Sequence, residues 1–273
     1  MKGIKFLMGC LLGLSLTNNT FATEHLPWYG RSFEFYPRLT SIFQTYSDIG
    51  SGSHRIHQPS FNQFYDLGAD FAYKEYNAEV EAIFANTRHR SFGLDCIRLT
   101  GRVQLMDDIV GEPLSIVAGL TITQAFRQSL QDPGSFHHGL TEGELHCSLG
   151  QEVSVGAEWT QRWWAFGALG VADKGSPWIR ADLSWEKMLC DMQTIRCFVH
   201  TLWGLGGDNF PRFRHFKGYG RINHQSIDAG LRYTYLFDNA ATLSGEYAYR
   251  VYARNFPLRA NTFLVSFVYP FSL

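Results

Sequence analysis

Beyond its first two dozen residues the chain has no run of ~18 consecutive apolar side chains, so no α-helix of it can span a bilayer. It also lacks a dominant charge: 24 Lys and Arg stand against 25 Asp and Glu, a formal net charge of −1. A near-neutral chain generates no global field that would gather nucleic acid, which excludes that class of partner on electrostatic grounds. Cysteines are few. Outside the N-terminal stretch only Cys96, Cys147, Cys190 and Cys197 remain, an even set that permits disulfides without requiring them. Cys190 and Cys197 flank the turn "DMQT"; alternation puts them on opposite faces of their strands, and cross-strand partners must share a face, so a disulfide between them would need a bulge to restore the match.

No lipase, protease or acyltransferase signature is present either. "LHCSL" sets His146 and Ser148 on one face of a strand, yet nothing supplies the orienting third group and oxyanion site that a nucleophile needs. The expectation is a non-enzymatic protein with no catalytic residues, no cofactor and no metal. His54/His57 and His137/His138 are imidazole pairs of the kind that suits zinc or copper, but nothing in the sequence brings their loops together.

What is present begins at the N-terminus. Two lysines in "MKGIK", the apolar run "FLMGCLLGLSL" and small residues at Thr20 and Ala22 follow the order of a secretory signal peptide, residues 1–22. After it the chain turns rich in aromatics, 15% of all residues, and in glycine, with 26. In "YDLGADFAY", Tyr65, Leu67, Ala69, Phe71 and Tyr73 point one way while Asp66, Gly68, Asp70 and Ala72 point the other, as alternate strand positions must. "IRADLSW", "IDAGLRYTYLF", "LSGEYAYRV" and "TFLVSFVYPFSL" repeat the pattern.

Alternation and turn signals predict about twelve strands: 38–47, 61–76, 78–87, 91–105, 113–125, 142–159, 162–172, 177–189, 194–206, 224–237, 240–252 and 261–273. Tight connections ("YNA", "TQ", "DMQT", "DNA") exchange with long ones at 48–60, 126–141 and 207–223. A soluble sandwich also alternates, with its apolar face inward. It explains neither the alternation in loop length nor a last strand carrying an apolar or aromatic side chain at every second position. The apolar face is therefore read as the outside, facing lipid.

On those residues, and above all on the ending "FLVSFVYPFSL", the chain resembles Gram-negative outer-membrane β-barrels as a class. The resemblance implies an all-β fold, a transmembrane antiparallel barrel of about twelve strands at residues 38–273, preceded by a periplasmic segment at 23–37. It implies localisation in the outer membrane, contact with the lipid bilayer and lipopolysaccharide, and recognition of the C-terminal strand by the barrel-assembly machinery. Leu273 and Pro270 depart from that terminal pattern.

The opposite face of the strands then lines a lumen. Its charged members are Asp66, Asp70, Lys74, Glu79, Glu81, Arg98, Arg102, Arg180, Asp182, Glu186, Arg196, Asp228, Arg232, Glu246 and Arg250, with both signs well mixed. They read either as a salt-bridge network or as the wall of a polar conduit. The loops are basic, with Arg55, Arg88, Arg90, Arg212, Arg214, Lys217 and Arg221 placed to meet lipopolysaccharide phosphates or other polyanions. "LPWYG" (Trp28, Tyr29) and "WTQRWW" (Trp159, Trp163, Trp164) read as one end of an aromatic girdle. A narrow porin-like channel for small polar solutes is the first functional expectation. A surface barrel whose loops bind polyanions is the second, and a lipid-modifying enzyme the third.

Overall fold

The computed structural model describes residues 18–19, 23–30, 33–51, 54–155, 158–208 and 216–272. The signal-peptide expectation falls almost wholly outside them. Twelve strands form one closed antiparallel sheet. They are β1 (Glu34–Ser51), β2 (His54–Tyr73), β3 (Tyr76–Thr87), β4 (Arg90–Met106), β5 (Ser115–Ala125), β6 (Thr141–Val155), β7 (Glu158–Ala172), β8 (Trp178–Cys190), β9 (Gln193–Gly204), β10 (Gln225–Leu236), β11 (Thr242–Arg254) and β12 (Asn261–Val268). Each pairs with its sequence neighbour, and β12 returns to β1 with Asn261 opposite Thr45 and Val268 opposite Arg38. Closure matters because an open edge in hydrocarbon would leave a row of unpaired N–H and C=O groups.

Alternation does the sorting. Leu67 and Leu99 on the outer face are about half exposed, while Asp66, Glu81 and Arg102 on the inner face are buried. Trp163 of β7 stands opposite Trp185 of β8 on the lipid side, as a girdle requires. The short turns at 74–75, 107–114, 191–192 and 237–241 lie at the end that holds Glu34 and Val268; the loop at 126–140 and the stretches 205–208 and 216–224 lie at the other. By the general rule for such barrels the short-turn end is periplasmic.

Three expectations need correction. No long loop occupies 48–60, because β1 and β2 continue to Ser51 opposite His54, with a register shift between Tyr46 and Asp48. Asp48, Ile49 and Gly50 also pair with Leu258, Pro257 and Phe256 on the other side, and the register shift breaks the regular alternation there. The "TQ" read as a turn, Thr160 and Gln161, lies inside β7, which begins at Glu158, so Trp159, Trp163 and Trp164 are members of one strand. The last strand stops at Val268; beyond Pro270, Phe271 and Ser272 pair again with Phe35 and Glu34. Leu273 lies outside the described residues. Cys190 and Cys197 are free thiols, the former opposite Gln193 and the latter opposite Trp185.

Inward charges are tied into cross-strand ion pairs. On one wall Arg38 meets Glu79 at 2.8 Å, Glu81 at 2.7 Å and Asp66 at 3.4 Å, Arg98 meets Glu81 at 3.0 Å, and Arg102 meets Asp70 at 3.0 Å. On the other, Arg162 meets Glu186 at 2.7 Å, and Arg196 and Arg232 share one oxygen of Glu246 at 3.5 and 2.5 Å. Removing one partner from a buried pair costs more than the pair contributes, because the remaining charge is stranded. Glu246→Gln therefore removes the carboxylate that Arg196 and Arg232 share. The expected loss is about 3–5 kcal/mol, read as an earlier urea midpoint for the refolded barrel in detergent; a midpoint within error of the parent would contradict it.

Candidate functional site

The lumen is the site, and two parts of the chain occupy it. At the short-turn end the segment 25–30 folds inward ahead of β1. Leu26, Trp28 and Trp164 form a buried apolar cluster, with the Trp28 and Trp164 rings edge to face at 6.0 Å. Trp28 donates from Nε1 to Oδ1 of Asp108 at 2.8 Å, in the short 3₁₀ turn after β4. Arg102 lies over the Tyr29 ring at 5.3 Å, and Arg162 over Trp28 at 5.4 Å. The backbone of β6 admits Pro27 because position 150 is glycine: a Cβ there would come within 2.8 Å of the Pro27 ring.

His25 continues the segment deeper. Its ring stacks on His146 at 4.3 Å, and its Nδ1 lies 4.0 Å from Glu79. Burial holds the His25 imidazole well below its ordinary value, and neighbouring His146 and Arg102 add to the shift. Trp28 and Tyr29, together with Trp159 and Trp164, are thus corrected from girdle to interior, and only Trp163 of that group faces outward. The indoles go inside because arginine faces offer them cation–π partners there: Arg162 lies 4.5 Å from the Trp159 ring centre and 5.8 Å from that of Trp164.

At the other end the loops close over the mouth. Phe216, Tyr219, Ile222 and Phe256 pack together with Phe136 against them. Tyr219 donates its N–H to His137 O at 2.8 Å and its hydroxyl to Pro133 O at 3.0 Å, and Ser176 donates its N–H to Gly220 O at 2.6 Å, so three loops are stitched into one cap. Gly218 permits the approach: its φ is +86°, and a Cβ would meet the carbonyl oxygens of His137 and His138 at 2.9 Å. His138 stacks on Trp178 at 3.8 Å and faces His224 with 3.2 Å between their Nε2 atoms. Burial holds His138 down at about 4, with Glu142 opposing the shift and His137 adding to it, and holds His224 at about 3, where His138 adds to the shift. His137 behaves oppositely. Burial works against its charge, but Asp95, 2.9 Å from Nε2, pushes it well above the ordinary value.

Beneath the cap lies a cavity of about 180 Å³, bounded by Phe136, His137, His138 and Phe256 above and by wall residues including Asp66, Arg98, Arg180, Asp228 and Arg250. Arg250 grips Asp228 through two nitrogens at 2.7 and 2.8 Å, and Arg180 meets Glu144 at 2.6 Å. Of the expected lumen set, Asp66, Asp70, Glu79, Glu81, Arg102, Arg180, Asp182, Glu186, Arg196, Arg232, Glu246 and Arg250 are buried inside, and Arg98 and Asp228 are partly buried. Lys74 is the correction: it occupies the exposed turn between β2 and β3 with φ +52°, its ammonium 5.3 Å from the Tyr73 ring centre. The turn interrupts the alternation that had carried Lys74 into the inner row.

The basic loop residues divide. Arg55, Arg88, Lys217 and Arg221 are exposed at the long-loop end. Arg90 is committed internally, to Asp95 at 2.9 Å, and does not belong to the exposed rim. Arg212 and Arg214 lie outside the described residues. His57 is engaged by Asp48 at 3.1 Å. The sequence missed Asp95, Glu144 and Arg162, which alternation had left unassigned, and the whole of the inward segment.

A closed barrel with an apolar outer belt and an ion-paired interior defines the class: the chain is an outer-membrane β-barrel protein. No protein-family model matches it, and no curated protein does. Solved structures do match it in fold. An outer-membrane channel from Pseudomonas putida F1 is similar at 10% identity and a TM-score of 0.67, over 88% of this chain and 96% of that one. The NanC porin is similar at 10% identity and TM-score 0.56, over 85% of this chain and 98% of its own. The KdgM porin is similar at 10% identity and TM-score 0.50, over 85% and 99%.

Docking of the inner segment rests on the Trp28 indole. Trp28→Ala should release it, since truncating a buried Trp costs about 3–5 kcal/mol. The check is a cysteine placed at Leu26 in a background without the other thiols: a water-soluble maleimide should label it at least tenfold faster when Trp28 is also replaced, and equal rates would contradict the docking.

Proposed function

We propose that this protein is a narrow, non-enzymatic channel for small polar solutes, closed at rest by its own chain. The observation that carries the reading is where the obstruction comes from. The wall itself is a twelve-stranded, polar-lined cylinder of the architecture found in the porins above, whereas the material blocking it belongs to the segment 25–30 and to the loop cap. Tethered segments can leave without breaking the sheet; a wall cannot. Mixed charge along the lumen favours small polar solutes over one sign of ion, since no single-sign ring stands among the described residues. The remaining partner assignments follow the same class: we propose that Arg55, Arg88, Lys217 and Arg221 contact lipopolysaccharide phosphates at the outer rim, and that the final strand is read during assembly.

Planar-bilayer conductance of the refolded mature protein tests the channel. Removing residues 23–30 should convert rare or small unitary steps into larger and more frequent ones; a truncated, heat-modifiable barrel that never conducts would overturn the reading.

Acid should mimic the truncation. His25 has a depressed pKa when docked and an ordinary one, about 6.5, when released. Docking is therefore fully stabilised above about 6.5 and weakens progressively as pH falls below it. Open probability should rise on acidification from pH 7 to 5, and His25→Gln should flatten that rise. An unchanged pH profile in the variant would rule out His25 as the sensor.

A further inference from the structure

One cluster near the cap is not explained by filling or closing the lumen. The register of β3 with β4 pairs Ile83 with Cys96 and Phe84 with Leu94, so Asp95 is an extra residue without a partner opposite. Such a bulge re-aims side chains. Here it turns two consecutive residues of one strand, Asp95 and Cys96, to the buried side together, where regular alternation would have sent one of them to the lipid face. His137 comes down from the loop 126–140 to face both. A carboxylate oxygen, a sulfur and an imidazole nitrogen from these three residues all lie within 4.8 Å of one another, and all three side chains are buried.

We propose that Asp95, Cys96 and His137 form a binding site for a divalent first-row transition metal of the zinc type. Oxygen, sulfur and nitrogen donors together match zinc, a borderline-soft ion that prefers tetrahedral coordination. In such a site ligand atoms stand roughly 3.3–3.6 Å apart, from metal–ligand lengths of about 2.0–2.3 Å. Small side-chain adjustments bring the present cluster into that range.

The surroundings are those of a supported site. Arg90 donates to Oδ1 of Asp95 at 2.9 Å, leaving Oδ2 turned to His137. Glu142 lies 3.6 Å from His137 Nδ1 and is itself held by the backbone N–H of Gly139 at 3.2 Å, so the ring's second nitrogen faces a carboxylate, the usual partner of a metal-bound histidine. On binding, the Nε2 proton that His137 now shares with Asp95 and the Cys96 thiol proton leave to solvent, and the ion takes their place. The charge of the ion plus Arg90 then balances Asp95, Glu142 and the thiolate. The adjoining cavity, which Asp95, Cys96, His137 and Glu142 all line, leaves room for a water as fourth ligand. The ion would join a loop to the wall and so lock the cap.

The test uses refolded, untagged mature protein with Cys147, Cys190 and Cys197 replaced by Ser, stripped with chelator and dialysed against buffered Zn²⁺ or Co²⁺. One ion per chain is expected. The Co²⁺ form should show thiolate-to-metal charge transfer in the near ultraviolet and tetrahedral d–d bands. Cys96→Ser should abolish the charge transfer, and Cys96→Ser and His137→Gln should each weaken Zn²⁺ binding at least tenfold. His57→Gln, on the exposed hairpin, should change neither. Heat-modifiable migration reports that each variant folds. If the protein with Cys96 and His137 intact binds no stoichiometric Zn²⁺, or its Co²⁺ spectrum lacks a thiolate band, the cluster is a hydrogen-bonded ion pair only and the proposal fails. It fails equally if the ion is retained undiminished in Cys96→Ser and His137→Gln.

Discussion

Closure of the sheet between β12 and β1 is the constraint on which the rest of this structure depends. In hydrocarbon every backbone N–H and C=O must find its partner within the protein, and a strand sheet achieves that only by meeting its own first edge. Once it closes, the period-two character of every strand has a fixed meaning: odd and even positions face lipid or lumen, with no third choice. The aromatic and aliphatic belt, the inward carboxylates and the inward arginines are consequences of that single geometric act.

The interior charges carry a cost that the fold meets by pairing. Removing an ion from water is expensive, and a buried pair recovers the cost only with good geometry and additional hydrogen bonds. Arg38 does so by touching three carboxylates, and Glu186 by taking a hydrogen bond from Thr194 at 2.8 Å as well as its contact with Arg162. The segment 25–30 and the loop cap are held differently, by ring contacts, a few hydrogen bonds and imidazoles kept neutral by burial. An ion-paired wall and inner segments held by fewer contacts are the arrangement that the proposed closable channel needs.

Much of this is legible in the sequence. Alternation located all twelve strands and placed Asp66, Glu81, Arg196 and Glu246 on the inner face, because residues two apart in a strand share a side whatever the tertiary context. Where local rules were interrupted, legibility ended. The φ of Lys74 in its turn, the bulge at Asp95 and the register shift between Tyr46 and Asp48 each break the period. Trp28 shows a different limit: an indole beside a barrel satisfies the rule for an interfacial anchor, and only a neighbouring arginine face and Trp164 in space make the interior the better place.

The sequence by itself determined the strands and which face of each is apolar and which charged, since that follows from side-chain period, which is a local property; loop lengths and the last strand then pointed the apolar face outward. The tertiary structure alone decided what fills the barrel. Which carboxylate each arginine meets, that His25 stacks on His146, that His138 meets His224 from a different loop and that Asp95 turns inward beside Cys96 all join residues distant in sequence or depend on strand register. Pattern along a chain records which face a residue takes; only the folded path sets which residues on that face come within a bond's length.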